Sequence, residues 1–234
     1  LLPQEFPQDG SLTVYGTVVP GRFVGGDYCD FIKIGEGKML VTVADVSGKG
    51  VPAALIMSEV RAATHVLASM NLTLEEFVKR LNDLLHKSTE RKTFVTFFAG
   101  IVDTKAQLLR FVNAGHPPPL AGKNGQLSPL GRGTIPLGIM STLPQCSVHT
   151  VPFPSGSWLV CYTDGVLERR DAQGEEYGEE RLRQSAQRCC INNAKECADN
   201  LLSNVKEFGA GRELDDDLTI AVLQSSEIPA AHKV

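Results

Sequence analysis

The chain has 234 residues, a formal net charge of -4, and 42% hydrophobic and 21% charged residues, the composition of a globular domain with a sizeable core. The acidic balance excludes a protein-wide basic field for nucleic acid or an anionic membrane surface. The longest apolar stretch, around Phe94 to Val102, is far shorter than a membrane-spanning helix.

In chain order, Leu12 to Val19, Tyr28 to Ile34 and Met39 to Ala44 carry the apolar patterns of strands, with Gly35-Glu36-Gly37 as a hairpin turn between the last two. Asp45-Val46-Ser47-Gly48-Lys49-Gly50 is a glycine-punctuated loop without the Walker A spacing. Pro52 suits the first turn of a helix over Ala53 to Met70, where Leu55, Ile56, Val60, Ala63 and Leu67 lie near helical spacing. A second helix is predicted from Leu74, Phe77, Val78, Leu81, Leu84 and Leu85, capped by Asn71 or Thr73 and with Glu75 and Glu76 in its first turn. Thr93 to Val102 and Gln107 to Asn113 read as strands, and Gly115 to Gly138 as loop with short strands. Cys146 to Phe153 and Trp158 to Thr163 are strand-like, Glu179 to Cys190 and Ala194 to Phe208 helix-like, and Leu218 to Leu223 a closing strand. Strands and helices do not alternate, which favours an α+β fold with antiparallel sheets over a doubly wound parallel sheet.

The six cysteines, Cys29, Cys146, Cys161, Cys189, Cys190 and Cys197, include no Cys-x-x-Cys pair. They read as small buried hydrophobes of a reducing compartment, and with no signal peptide the expected location is the cytoplasm. The first residues, Leu1-Leu2-Pro3, lack a Met, so excision from a longer protein with an upstream domain is expected. The domain is expected over residues 1–224, with a short C-terminal tail over 225–234.

The chemistry concentrates in aspartates where apolar runs start or stop. Asp27 follows Gly25-Gly26, Asp45 ends the run Leu40 to Ala44, and Asp164 ends Leu159 to Thr163. Asp215, Asp216 and Asp217 open the last strand. Carboxylates brought together at the margin of a core repel one another, and their pKa values rise unless cations lie between them. A set of carboxylates, carbonyls and water suits hard divalent ions, Mg2+ or Mn2+, and two such ions can clamp a phosphoryl group. Each piece also has a plainer reading. Asp164-Gly165 is a common turn, Asp215 to Asp217 a solvated acidic run, and Asn113-Ala114-Gly115-His116-Pro117-Pro118 a rigid turn with an ordinary histidine.

As an ordered set, the motifs resemble the PPM (type 2C-like) phosphatases of the bacterial SpoIIE/RsbU branch. The resemblance runs through Val24-Gly25-Gly26-Asp27-Tyr28-Cys29-Asp30-Phe31, Ala44-Asp45-Val46-Ser47-Gly48-Lys49-Gly50-Val51-Pro52-Ala53-Ala54 and Phe94-Val95-Thr96. It continues through Ala114-Gly115-His116-Pro117-Pro118, Pro136-Leu137-Gly138, Tyr162-Thr163-Asp164-Gly165-Val166 and Asp216-Asp217-Leu218-Thr219, from about Leu1 to Leu223. The resemblance implies an α-β-β-α sandwich with two divalent ions, Mn2+ or Mg2+. It implies Asp27, Asp45, the Val46 carbonyl, Asp164 and Asp216 as ligands, with Asp217 the alternative to Asp216. No side chain would be the nucleophile; a metal-bound hydroxide would attack phosphorus. Asp30 is implied as a supporting residue, Arg22 as a phosphate-binding candidate against a solvated arginine, and His116 as an acid/base candidate against a structural one. Cys29 departs from the aromatic residue that relatives commonly carry.

The implied reaction is hydrolysis of phosphoserine or phosphothreonine on a protein, with a phosphorylated STAS-domain regulator of a bacterial partner-switching pathway as substrate. An upstream sensor or linker and a homodimer are further implied partners, and nucleic acid and membrane are not. The competing readings are an inactive, metal-poor binding domain of the same fold and a two-metal hydrolase of another phosphoester.

Overall fold

A computed structural model describes residues 6–7, 10–21, 23–88, 93–131 and 133–226. Among these residues two five-stranded antiparallel sheets face each other. One has the order β1 (Leu12–Val19), β10 (Leu218–Ser225), β9 (Ser157–Tyr162), β6 (Leu120–Lys123), β7 (Gln126–Pro129). The other has the order β2 (Tyr28–Gly35), β3 (Lys38–Val46), β4 (Val95–Asp103), β5 (Leu108–Ala114), β8 (His149–Pro152).

Helices cover the outer faces. α1 (Val51–Ala68) and α2 (Leu74–Ser88) lie on the β2–β3–β4 sheet. α4 (Gly178–Cys189) and α5 (Ala194–Phe208) lie on the β1–β10–β9 sheet. The arrangement is the expected α-β-β-α sandwich. Strand periodicity sorts each residue into its layer. In β2, Cys29 and Phe31 enter the core between the sheets, where Cys161, Phe98 and Leu223 also lie, while Tyr28 packs under α1 with Met57 and Val60. Cys29 is therefore an inter-sheet hydrophobe. All six cysteines are unbridged.

Most predicted elements, the short strands within Gly115–Gly138 included, appear close to where they are expected, and two differ in kind. The expected strand from Cys146 begins only at His149, because Cys146 sits in the α1–α2 core and the Ser147 amide donates to the Gly133 carbonyl. Asp164-Gly165 is the start of a four-residue helix, α3 (Asp164–Leu167), rather than a simple turn. The Gly115–Gly138 loop contains a hairpin whose tip, Asn124-Gly125, has positive φ at both residues (56° and 73°), the two-residue turn that matches strand twist. The last strand ends at Ser225, and residues 227–234 lie outside the described residues.

Candidate metal centre

Strand ends from both sheets bring the aspartates to one end of the sandwich. Asp27 immediately precedes β2 and Asp45 is the penultimate residue of β3. Asp164 follows β9, and Asp216 and Asp217 immediately precede β10. Because β9 and β10 pair directly, with Tyr162 opposite Ile220, the segments flanking Thr163 and Thr219 are adjacent.

Asp27 is the buried link between the sheets. Its Oδ2 accepts from the Thr163 hydroxyl at 2.7 Å and the Thr219 hydroxyl at 2.6 Å, both from the opposite sheet's segments. Thr163 is the N-cap residue of α3, yet it makes no side-chain cap, since its hydroxyl is committed to Asp27. Burial raises the Asp27 carboxyl well above the ordinary range, repulsion from Asp45 adds to this, and the two hydroxyls oppose it.

Asp45 has no such support, and no hydrogen bond reaches its carboxylate among the described residues. Burial first, then repulsion from Asp164, Asp216 and Asp217, raises its pKa from 3.8 to about 7, with Lys49 opposing. Asp164 is also raised, by burial and then by Asp216, against the Gly165 backbone amide. Asp45 thus sits in the field of Asp164, Asp216 and Asp217, and Asp164 in that of Asp216.

The triple aspartate divides its work. Asp217 is braced: its Oδ1 and Oδ2 accept from the backbone amides of Gly21 and Gly26, both at 2.8 Å. Asp216 accepts from the Asp217 amide through Oδ1, and its Oδ2 lies 2.8 Å from the Lys49 Nζ. Lys49 also donates to the Asp215 carbonyl at 2.7 Å. A crevice of about 10 Å3, room for roughly one water-sized sphere, lies among Gly21, Gly48, Lys49, Asp45 and Asp215 to Asp217.

The backbone is shaped to this cluster. A Cβ on Gly165 would stand 2.1 Å from the Asp217 carbonyl oxygen, so only glycine admits that approach. Gly50, at φ 75°, turns the chain from the Asp45–Val46 loop into α1, with Pro52 in the first turn. The Val46 carbonyl oxygen faces Gly26, where a Cβ would stand 3.0 Å away.

The residues fit a hard divalent cation on the chemistry of the donor set: carboxylates and a backbone carbonyl, with mutual repulsion that a cation would relieve. Among the described residues no three acidic, imidazole or thiol groups are gathered round one point. The side chains instead satisfy one another, Asp27 through hydroxyls, Asp217 through amides and Asp216 through the Lys49 ammonium.

Two accessory candidates face elsewhere. Asp30 is buried under α1, accepting from Tyr28 Oη at 3.1 Å and the Phe31 amide at 2.8 Å, with His65 Nε2 at 2.7 Å. His116 is fully buried, its amide donating to Asn113 Oδ1 and its Nδ1 lying 2.9 Å from Thr96 Oγ1. Burial pushes its pKa down to about 3, so it is neutral near pH 7. It reaches the centre only indirectly, since Thr96 is the β4 partner of Asp45. Arg22 lies outside the described residues.

Sequence reasoning missed Thr163, Thr219 and Lys49. Each stood inside a motif, but only the aspartates carried a ligand signal; a hydroxyl beside an aspartate at a strand end was the available clue.

Comparison with known proteins bears on the family and the fold. Residues 35–226 match the family model described as Stage II sporulation protein E (SpoIIE). The chain is 29% identical over 235 residues to the phosphoserine phosphatase RsbU of Bacillus subtilis (strain 168), covering 96% of this chain and 66% of that protein. The PP2C phosphatase domain of SpoIIE from Bacillus subtilis superposes with a TM-score of 0.81 at 18% identity, covering 93% of this chain and 64% of that one. The catalytic domain of the serine/threonine protein phosphatase PstP, solved with two manganese ions, has a TM-score of 0.69 at 16% identity, covering 93% and 99%. At these identities the structural likenesses establish the PPM phosphatase fold, and the sequence match goes further: the chain belongs to the SpoIIE family.

Proposed function

We propose that this chain hydrolyses phosphoserine or phosphothreonine on a protein, using two divalent ions, Mn2+ or Mg2+. The observation that carries the reading is the gathering of Asp27 and Asp45 from one sheet and Asp164 and Asp216 from the other at one end of the sandwich, where burial first, and then repulsion from Asp164, Asp216 and Asp217, raises Asp45 to about 7. RsbU is named a phosphoserine phosphatase, and PstP was solved with two manganese ions. The chain spans 66% of RsbU, and the activity is proposed for this chain on its own residues.

Asp27, Asp45, the Val46 carbonyl, Asp164 and Asp216 would hold the ions. Once bound, divalent ions neutralise charge on phosphoryl oxygens and activate water. The protein's part is positional. Thr163 and Thr219 fix the Asp27 carboxylate, and Asp217 ties the Gly21–Gly26 loop to the start of β10. Both oxygens of Asp217 are held by backbone amides, whereas Oδ2 of Asp216 is held only by the partly exposed Lys49 side chain, which makes Asp216 the better ligand of the two. Asp30 and His116 serve as supports, Asp30 tying β2 to α1 and His116 tying the Pro-rich turn to Thr96. The Lys49 ammonium neutralises Asp216 and would shift when an ion arrives.

The substrate we propose is a phosphorylated STAS-domain regulator of a partner-switching pathway, a reading supported by the likeness to RsbU. The test is turnover of a phosphoserine STAS protein with Mn2+ by the wild type and by Asp45→Asn. Manganese-dependent release of phosphate that Asp45→Asn abolishes is expected; equal turnover by the two would sink the reading.

A further inference from the structure

Two recesses border the carboxylate crevice, and they differ in chemistry. One, of about 280 Å3, is polar, lined by Lys49, Glu168, Arg170, Arg212 and Asp216 among others. The other, of about 510 Å3, is lined in part by Gly25 and Asp27. It is walled by the end of β1, the Phe23–Gly25 loop and the first two turns of α1.

This second recess is apolar. Phe23, Leu55 and Val51 stand at 104%, 68% and 63% exposure, a concentration of large apolar side chains that water disfavours. Among the described residues the one charged group in its wall is Asp27, itself nearly buried. Val24 lines both this groove and the carboxylate crevice, so the two are neighbours. Packing explains why these side chains are outside. Met57 and Val60 of α1 already fill the interface with β2 and β3, and Val51 and Leu55 point away from that face.

Resting on the phosphatase reading above, we infer that this groove is a specificity-determining subsite for a large aliphatic side chain beside the phosphorylated residue of the substrate. Phe23 and Leu55 are its principal walls. Adjacency selects the occupant. A phosphoryl group at the mouth of the crevice places the neighbouring residues of the same polypeptide over either the polar recess or this groove, and an aliphatic side chain gains free energy only in the latter. The groove thereby reads the sequence around the phosphate, while the carboxylates read the phosphate itself.

The experiment uses the chain with Mn2+ and short phosphoserine peptides in a Gly/Ser background. One leucine is placed in turn at each of the two positions on either side of the phosphoserine, and a leucine-free peptide is the reference. In the wild type, one leucine register should raise kcat/KM about tenfold over the leucine-free peptide, the gain expected from partly burying one leucine. In the double variant Phe23→Ser, Leu55→Ser that ratio should fall to within about twofold of unity. Because both peptides meet the same preparation, partial unfolding cancels from the ratio. Turnover without a leucine preference, or a preference that survives the double substitution, overturns the groove and leaves the phosphatase reading standing. No turnover of any peptide brings down both. A wild-type dimer that the same double substitution dissociates assigns the groove to a second copy of the chain and also overturns the proposal.

Discussion

The two sheets contribute to the acidic end in unlike ways. Asp27, from the β2 side, is clamped by two hydroxyls of the opposite sheet, so its position is set by hydrogen bonds. Asp45, from the end of the adjacent β3, is set by the strand alone and sits in the field of Asp164, Asp216 and Asp217. One carboxylate is structural mortar between the layers; the other stores repulsion. The helical coats differ too. α4 and α5 turn charged pairs to water, such as Arg183 with Glu180 and Lys195 with Asp199, while α1 leaves Val51, Leu55 and Val66 exposed. Cohesion and chemistry are thus assigned to different residues, even neighbouring ones.

The largest expected effect tests whether both sheets are needed. Asp45→Asn and Asp164→Asn should each lower manganese-dependent phosphatase turnover about a thousandfold, the scale of losing several kcal/mol of electrostatic stabilisation. Steady-state kinetics showing one of them near wild type would assign the chemistry to a single sheet.

The next largest concerns stored repulsion. A carboxyl raised from 3.8 to about 7 on folding makes the native state hold more protons than the unfolded chain between those pH values. Stability of the EDTA-treated protein should therefore fall as pH rises from about 4 to 7, by roughly 2–4 kcal/mol, and Asp164 contributes in the same direction. Urea melts across this range should show the slope in the wild type and a flatter one in Asp45→Asn. Equal slopes would remove Asp45 as the source.

Hydrogen bonding separates Asp27 from Asp45 more finely. Asp27→Ala should be less stable than Asp27→Asn by about 1–3 kcal/mol, because asparagine keeps an acceptor for the Thr163 and Thr219 hydroxyls. For Asp45 the same two substitutions should agree within about 1 kcal/mol, and a larger gap there would erase the distinction. The smallest effect is on the charged coat. Lys195→Ala removes an exposed pair with Asp199 and should shift stability by less than about 1 kcal/mol.

Much of this was readable from local pattern. β1 and α5 appear over the predicted residues, since an apolar strand and an amphipathic helix each declare themselves within a short window. The strand expected from Cys146 failed because an apolar residue there serves a neighbouring helix pair instead of a sheet. The α3 turn of helix was hidden because Asp-Gly signals a turn equally well.

By itself the sequence determined the inventory: all-oxygen donors at strand ends, glycines beside them, and alternation that commits each strand residue to one face. Those are properties of neighbours along the chain. Only the tertiary structure decided that Asp217 braces backbone amides while Asp216 meets Lys49, that Asp30 and His116 turn into the core, and that Thr163 and Thr219 hold Asp27. The Thr163 and Thr219 contacts join residues 136 and 192 positions apart, and they arise from antiparallel pairing of β9 with β10 across from β2. Local periodicity carries no information about such pairing, because the free energy that selects it comes from burying the faces of two sheets against each other.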